Sequence, residues 1–252
     1  MTTINFTVMP PPEGLSRDIE CLRIATHTGN KPLEVKVCPS GYPGIVFQYA
    51  TDKTAAIESI AIRSGKTAAI PILFLHGQGS EPSIMRFRDI PYTTIQVVFK
   101  PHAWYSLFGW DTSEFKQGLL FPDQFGAVDL EKQLQSVNLM EEQLYIRDHI
   151  SCISVRELVA AFHISERQFQ KRFVRVVGMT PNLFIRVRRV NEALKLMHSG
   201  QYERLSDVAY ALNYYDQSHF IREMKSFSWV SPKHIAMRVR EFHSDLAGSS
   251  YL

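Results

Sequence analysis

What most restricts this chain is an internal repeat in its C-terminal hundred or so residues. Val155, Glu157, Leu158, Phe162 and Ile164 are matched fifty residues on by Leu205, Asp207, Val208, Leu212 and Tyr214. After one inserted residue, Ser165, Phe169, Phe173, Thr180 and Pro181 are matched fifty-one residues on by Asp216, Phe220, Met224, Ser231 and Pro232. Two copies of one small unit therefore lie in tandem, and each must find its own apolar seam.

The spacing inside each copy predicts two short helices with a tight turn between them. Ser154-x-x-Glu157 reads as a capping box opening the first helix, and Ser165-x-x-Gln168 as a second one opening the next. His163 in the first copy and Asn213 in the second stand where the turn asks for a positive φ, which glycine adopts most easily and Asn or His tolerate. Two helices of two to three turns joined in this way make the helix-turn-helix of DNA-binding proteins. Between the copies, Leu183, Val187, Val190, Leu194 and Met197 alternate steps of four and three, so Asn182 to His198 is read as one connecting helix. At 1.5 Å per residue it spans roughly 25 Å, and with the bodies of the two units added, the second helices reach toward successive major-groove faces ~34 Å apart.

In the second helix of the first copy, burying Phe169 and Phe173 turns Arg167, Gln170 and Lys171 outward. In the second copy, burying Phe220 and Met224 leaves Gln217, Ser218, Ile221 and Arg222 outward. Arg and Lys match guanine acceptors, Gln matches adenine, and an aliphatic side chain packs on a thymine methyl. Arg172, Arg186, Arg188, Arg189 and Lys225 are assigned to phosphates or acidic neighbours, with Arg172, Arg186 and Lys225 the phosphate candidates. Charge agrees: residues 1–150 hold 13 Lys and Arg against 16 Asp and Glu, giving −3, whereas residues 151–252 hold 15 against 9, giving +6. A domain that lies along phosphates needs such an excess, because each neutralised phosphate releases counterions. Double-stranded DNA is the expected partner.

The N-terminal half has a different texture, with short apolar or alternating runs broken by turn signals at Gly29-Asn30, Pro43-Gly44, Ser64-Gly65 and Gly77-Gln78-Gly79. Ile45–Tyr49, Ile70–Leu75 and Thr94–Phe99 are the clearest strands. The fold class expected is α+β with several domains: a mostly-β barrel or sandwich over residues 1–125, an amphipathic connecting helix over 126–150, and an all-α domain of two helix-turn-helix units joined by a helix over 151–252. The helix at 126–150 serves equally well to pack on its own sheet domain or to form a homodimer. Tyr42, Phe47, Tyr49, Phe74, Trp104 and Trp110 are candidates to line a pocket, although at strand spacing such aromatics more often fill a core.

The C-terminal pattern resembles the AraC/XylS family of transcriptional regulators. The resemblance is carried by Ser154 to Val159, Ile164 to Phe173, Gly178-Met179-Thr180-Pro181, Leu205 to Ala209, Asp216 to Arg222 and Val230-Ser231-Pro232, about a hundred residues in all. It implies base contacts at Arg167, Gln170, Lys171, Gln217, Ser218, Ile221 and Arg222. It also implies RNA polymerase as a partner and activation as the sign of control. The N-terminal half, with Val98 to Gly109, resembles the cupin-like sensor domains that precede such units, which bind a small-molecule effector or dimerise. The chain departs from the family where His163, Asn213 and Trp229 stand in place of glycine and Met224 in place of phenylalanine. Trp229 is the most unusual of these.

Other functions find little support. Ala68 to Leu75, the longest strongly apolar run, is broken by Pro71 and falls far short of the ~20 residues of a membrane span, and the N-terminus does not read as a signal peptide. A cytoplasmic location is expected. Cys21, Cys38 and Cys152 lie far apart and read as buried thiols. His27, His76, His102 and His149 are isolated, with no metal-ligand spacing, so neither metal nor other cofactor is expected and a cupin-type metalloenzyme ranks well below a sensor. Ser64-Gly65-Lys66-Thr67 lacks the first glycine of a phosphate-binding loop, since Ile60 stands there, and reads as a hairpin turn. No catalytic constellation is visible.

Overall fold

Alternation of apolar and polar residues along the N-terminal half generates strands with one face turned inward. In Tyr92–Phe99 the positions buried on the inward face are Tyr92, Thr94, Gln96 and Val98, with Thr93, Ile95, Val97 and the buried Phe99 on the other face, the period of two that a pleated strand imposes. The computed structural model describes residues 4–11, 13–28, 33–50, 54–65, 67–71, 73–115, 119–120, 165–237, 242–243 and 249–251. The expected helix at 126–150, the first helix of the first repeat with its Ser154 box and His163 turn, His149 and Cys152 lie outside these residues.

Among the described residues, ten strands belong to the N-terminal half: β1 (Ile4–Met9), β2 (Ile19–His27), β3 (Leu33–Cys38), β4 (Gly44–Ala50), β5 (Ile57–Ile62), β6 (Thr67–Ala69), β7 (Leu73–His76), β8 (Ser83–Phe87), β9 (Tyr92–Phe99) and β10 (Leu119–Leu120). They form two sheets, one ordered β1-β2-β9-β4-β7-β10 and the other containing β3-β8-β5-β6. Every pairing is antiparallel. Between the sheets lies a core that includes Val35, Val46, Ile57, Ile60, Phe74 and Phe87. Of the run expected as one strand from Ile70 to Leu75, Leu73 to Leu75 lie in β7, whereas Ile70 and Pro71 follow the end of β6 at Ala69 and belong to no strand. Pro71 has no N–H for a ladder, and its carbonyl instead accepts from the Gln48 side chain. The hairpin expected at Ser64-Gly65 is present, with Gly65 at φ 88°.

A short helix, α1 (Ala103–Phe108), covers the outer face of the first sheet through Ala103 and Trp104, with Trp110 and Phe115 edge-on to Trp104. Trp104 and Trp110 are therefore core, not pocket. The C-terminal half is helical from residue 166: α2 (Glu166–Val177), α3 (Pro181–Ser199), α4 (Leu205–Ala211), α5 (Gln217–Ser228) and α6 (Pro232–Met237). The second repeat is thus α4-turn-α5, and α3 is the connecting helix. Ser165 opens α2 with the full capping box to Gln168, Thr180 caps α3 with Pro181 in its first turn, and Asp216 caps α5 through the His219 amide. Phe169, Phe173, Phe184 and Val176 make one core cluster; Val187, Val190, Leu194, Val208, Phe220 and Met224 belong to a second.

One departure from the expected all-α C-terminal domain has no sign in the sequence pattern. Phe242–His243 (β11) and Ser249–Tyr251 (β12) pair with each other, and β12 continues onto the edge of β3, Ser249 opposite Cys38 and Tyr251 opposite Lys36. The second sheet is therefore ordered β11-β12-β3-β8-β5-β6. These segments are too short for periodicity to separate a strand from a loop.

Candidate nucleic-acid interface and sensor cavity

The residues assigned to base reading stand mainly on the N-terminal halves of α2 and α5. Phe169, Phe173, Phe220 and Met224 are each at most 1% exposed, which fixes the rotation of both helices. Arg167, Gln170 and Lys171 on α2 are consequently exposed, as are Gln217, Ser218 and Arg222 on α5. Ile221 differs: it is half-buried and packs against the second core cluster, so only part of its side chain remains for a thymine methyl. Gln170 donates to Glu166 one turn back at 2.9 Å, an exposed pair that a base edge can displace.

The expected phosphate contacts divide more sharply. Arg172 and Lys225 are exposed. Arg186 is ion-paired with the buried Glu223 of α5 and lies over the Phe227 ring, and Arg189 lies over Tyr214. Arg188 is buried, 4.5 Å above the Tyr42 ring, 3.4 Å from the Ser40 carbonyl and 3.8 Å from Glu192. It is enclosed between the two halves of the chain, where a phosphate cannot reach it. Sequence reasoning missed this because an arginine on a connecting helix carries no sign of what packs on it.

The N-terminal half grips the helices at places away from the base-reading positions. At the last turn of α2, Thr112 donates to the Arg175 carbonyl at 3.0 Å, Arg175 pairs with Asp111 at 3.6 Å, and Gly178 lies close against Thr112. Along α3, Asn191 donates to the Pro39 carbonyl at 2.7 Å, beside Arg188. At the last turn of α5, Arg63 of the β5–β6 hairpin donates to the Ser226 and Lys225 carbonyls at 2.8 and 3.0 Å. Its guanidinium also lies 4.7 Å from the centre of the Trp229 ring. A cation at a helix C-terminus complements the dipole and the unpaired carbonyls there.

Two of the glycine replacements can be located. Asn213 has φ 54° and Trp229 has φ 66°, so both hold the left-handed conformation that glycine would hold. Trp229 follows the last residue of α5 as its C-cap. The geometry after α5 is kept, and the indole serves as the platform for Arg63.

A cavity of about 120 Å³ lies within the β domain. Val46, Ile57, Ile60, Phe74 and Phe87 form much of its apolar wall, and His76, Thr94, Gln96, Tyr42 and Ser40 add polar atoms. Of the expected pocket aromatics, Tyr42 and Phe74 line it; the side chains of Phe47 and Tyr49 are outside the described set. Gly44 is required beside it, because a Cβ there would meet His76 Nε2 at 2.4 Å. Burial pushes His76 down to about 4, opposed by a hydrogen bond to the Gly77 backbone and assisted by the charge of Arg23. The ring is therefore neutral at pH 7. Burial likewise pushes the Cys38 thiol up to about 12. Cys38, Pro39 and Ser40 belong both to the cavity wall and to the contact with α3 or its core.

Among the described residues no group of three His, Cys, Asp or Glu could hold a metal ion, and no helix is long and apolar enough to cross a membrane. Ser106, Asp18 and His102 do meet, but the Ser106 hydroxyl donates to Asp18 at 2.6 Å, with His102 on the same carboxylate at 3.4 Å. A nucleophile activated by a base needs the serine on the imidazole. The cluster ties β2 to α1.

Comparison with known proteins bears on both halves of this geometry. Residues 158–238 match the model of a helix-turn-helix domain of the AraC type. Residues 7–120 match a second model, described as a domain of unknown function (DUF6597). A probable transcriptional regulator, LumQ of Photobacterium leiognathi, is 28% identical over 111 residues, 44% of each chain. The chain thus matches less than half the length of that curated relative. Among solved structures, an apo variant of ToxT from Vibrio cholerae superposes with TM-score 0.50 at 12% identity, over 94% of this chain and 97% of that one. That likeness extends through both halves of the chain and concerns the fold.

Proposed function

We propose that this protein is a sequence-specific DNA-binding transcription regulator in which α2 and α5 enter two adjacent major-groove segments on one side of the duplex. The observation that carries the proposal is the pairing of exposed Arg167, Gln170 and Lys171 with exposed Gln217, Ser218 and Arg222 on equivalent helices of a duplicated unit. The N-terminal half grips both helices at their far ends. Ile221 contributes apolar contact, and Arg172 and Lys225 meet phosphates. Arg186 is assigned to holding α3 against α5 through Glu223. The working division is a sensor over 1–125, a connector over 126–150 and a DNA-binding unit over 151–252 whose β12 returns to the sensor. Activation through RNA polymerase, and a homodimer, are carried over from the family resemblance.

The cavity favours a sensor over a domain that serves only for dimerisation. A ligand in it touches the Cys38–Ser40 segment, and that segment holds Arg188 and Asn191 of α3. A molecule that binds one arrangement of this joint more tightly than another shifts the DNA-binding unit by that difference and no more.

The test is genome-wide binding of the tagged protein, followed by affinity for the best site as a function of salt. Arg167→Ala and Arg222→Ala should each lose about 1–3 kcal/mol of discrimination, at different base positions. Protection of a single groove segment, or weak binding indifferent to sequence in the wild type, would defeat the two-helix reading.

A further inference from the structure

The sensor reading leaves open what kind of molecule the cavity takes, and its polar end is specific enough to answer. Gln96 and Thr94 lie side by side on the inward face of β9, each 7% exposed, and both line the cavity. The Gln96 amide nitrogen is 2.8 Å from His76 Nε2. An amide N–H₂ can only donate, so His76 Nε2 accepts and the ring proton sits on Nδ1. That leaves the Gln96 carbonyl oxygen and the Thr94 hydroxyl, neither of which has a hydrogen-bond partner among the described residues. Polar atoms at the inward positions of a strand are ordinarily paired, and here they are open to the cavity that both residues line.

We propose that this cavity binds an uncharged molecule of about one ring in size that carries a hydrogen-bond donor, such as a phenolic hydroxyl or an amide N–H, directed at Gln96 and Thr94. The inference rests on the sensor reading. Size follows from the volume, since an apolar cavity of ~150 Å³ accepts benzene and this one is about 120 Å³. Charge follows from the wall. Among the described residues the lining contains no Lys or Arg; the carboxylate there, Glu81, is exposed and accepts from the Ser64 amide at 3.0 Å. A carboxylate ligand would present lone pairs to the Gln96 oxygen, with neutral His76 beside it. An ammonium would lose its hydration to an aliphatic wall. Two cations stand behind the wall, Arg23, paired across β2–β9 with Gln96, and Arg188, which lies over Tyr42 and reaches the Ser40 carbonyl; neither is part of the lining.

The experiment is calorimetric titration of the full chain with p-cresol, toluene and benzoate at pH 7, alongside Gln96→Leu, Arg23→Gln and the cavity-filling Ile60→Trp, with circular dichroism as the check on folding. The expected result is p-cresol bound at least about tenfold more tightly than either of the other two, a difference of about 1.4 kcal/mol. Gln96→Leu should erase the advantage over toluene, and Ile60→Trp should abolish binding of all three. Should Ile60→Trp not fold, competition between toluene and p-cresol on the wild type shows whether they share one site. Tightest binding of benzoate, lost in Arg23→Gln, overturns the uncharged class and leaves the sensor reading standing. Binding of no probe at millimolar concentration, with Gln96→Leu regulating as wild type, overturns both.

Discussion

Trp229 is the most unusual residue of this chain against the AraC/XylS pattern that it resembles, and the structure makes that departure quantitative. Left-handed backbone costs a residue other than glycine roughly 1–2 kcal/mol, and Trp229 bears that cost at φ 66°. Against it stands the Arg63 guanidinium 4.7 Å from the ring centre, worth about 0.5–1 kcal/mol at a partly exposed site, together with burial of part of the indole. Trp229→Gly should therefore change stability by no more than about 1 kcal/mol. Arg63→Ala should cost about 1–2 kcal/mol, because two charge-assisted bonds to the last turn of α5 are lost as well. Those two bonds do not involve the indole, so the informative quantity is the coupling in the double mutant. In the Arg63→Ala background, Trp229→Gly should be more favourable than in the wild type by about 0.5–1 kcal/mol. The assay is urea denaturation followed at 222 nm, which avoids the loss of tryptophan emission. A cost above about 2 kcal/mol for Trp229→Gly in both backgrounds, with no coupling, would mean the indole is ordinary core and the platform argument is wrong.

Three further outcomes are expected. His76 has its pKa depressed in the folded state, from the ordinary 6.5 to about 4, so the unfolded chain binds the extra proton. Its contribution is full above pH 6.5 and is lost as pH falls toward 4, a change of about 3 kcal/mol, and His76→Gln should flatten that limb of a pH series of thermal melts. Gly44→Ala places a methyl 2.4 Å from His76 Nε2 and 3.0 Å from the Val97 carbonyl and should destabilise by about 1–3 kcal/mol in the same melts. Asp216→Ala removes the cap of α5 and should cost about 1 kcal/mol, whereas Asn213→Gly, at φ 54°, should cost nothing measurable in denaturation.

Sequence patterns specified what each element does to itself. Phe169 and Phe173, with Phe220 and Met224 at the same spacing, dictated which faces of α2 and α5 turn outward, because a helix has one rotation that buries two residues four apart. Ser165, Thr180 and Asp216 marked helix starts for the same local reason, and Asn213 marked a left-handed turn. What one element does to another was not legible. Arg188 and Arg186 could be assigned only to phosphates or acidic neighbours, with Arg186 a phosphate candidate, because a cation on a helix in a basic domain carries no record of Tyr42 or Glu223, which approach from elsewhere in the fold. Ile221 looked exposed because helical phase alone does not reveal how far a neighbouring core extends. The strands at 242–243 and 249–251 escaped because two or three residues hold no period.

The cavity escaped for a related reason. Thr94 and Gln96 are polar residues at the inward positions of an apolar strand, a pattern that reads in isolation as a flaw in the core or as an outward face. Only the register of β9 against β2 and β4 shows that they face inward with His76. The same register explains why Gly44 is glycine: a ring tucked against a neighbouring strand leaves no room for a Cβ. A polar pair at buried strand positions, beside a glycine that a histidine needs, is thus a sign in the sequence of a ligand cavity, once pairing is known. Such a core gives up apolar burial at those two positions. Gln96 recovers part of it through its bond to His76 Nε2, whereas no described residue is seen to pair with the Thr94 hydroxyl. Stability alone would favour an apolar residue at Thr94, so Thr94→Val should raise the melting temperature while weakening the response to any effector that donates a hydrogen bond there. A lower melting temperature in Thr94→Val would instead show that the hydroxyl supports the sheet and that the cavity is incidental.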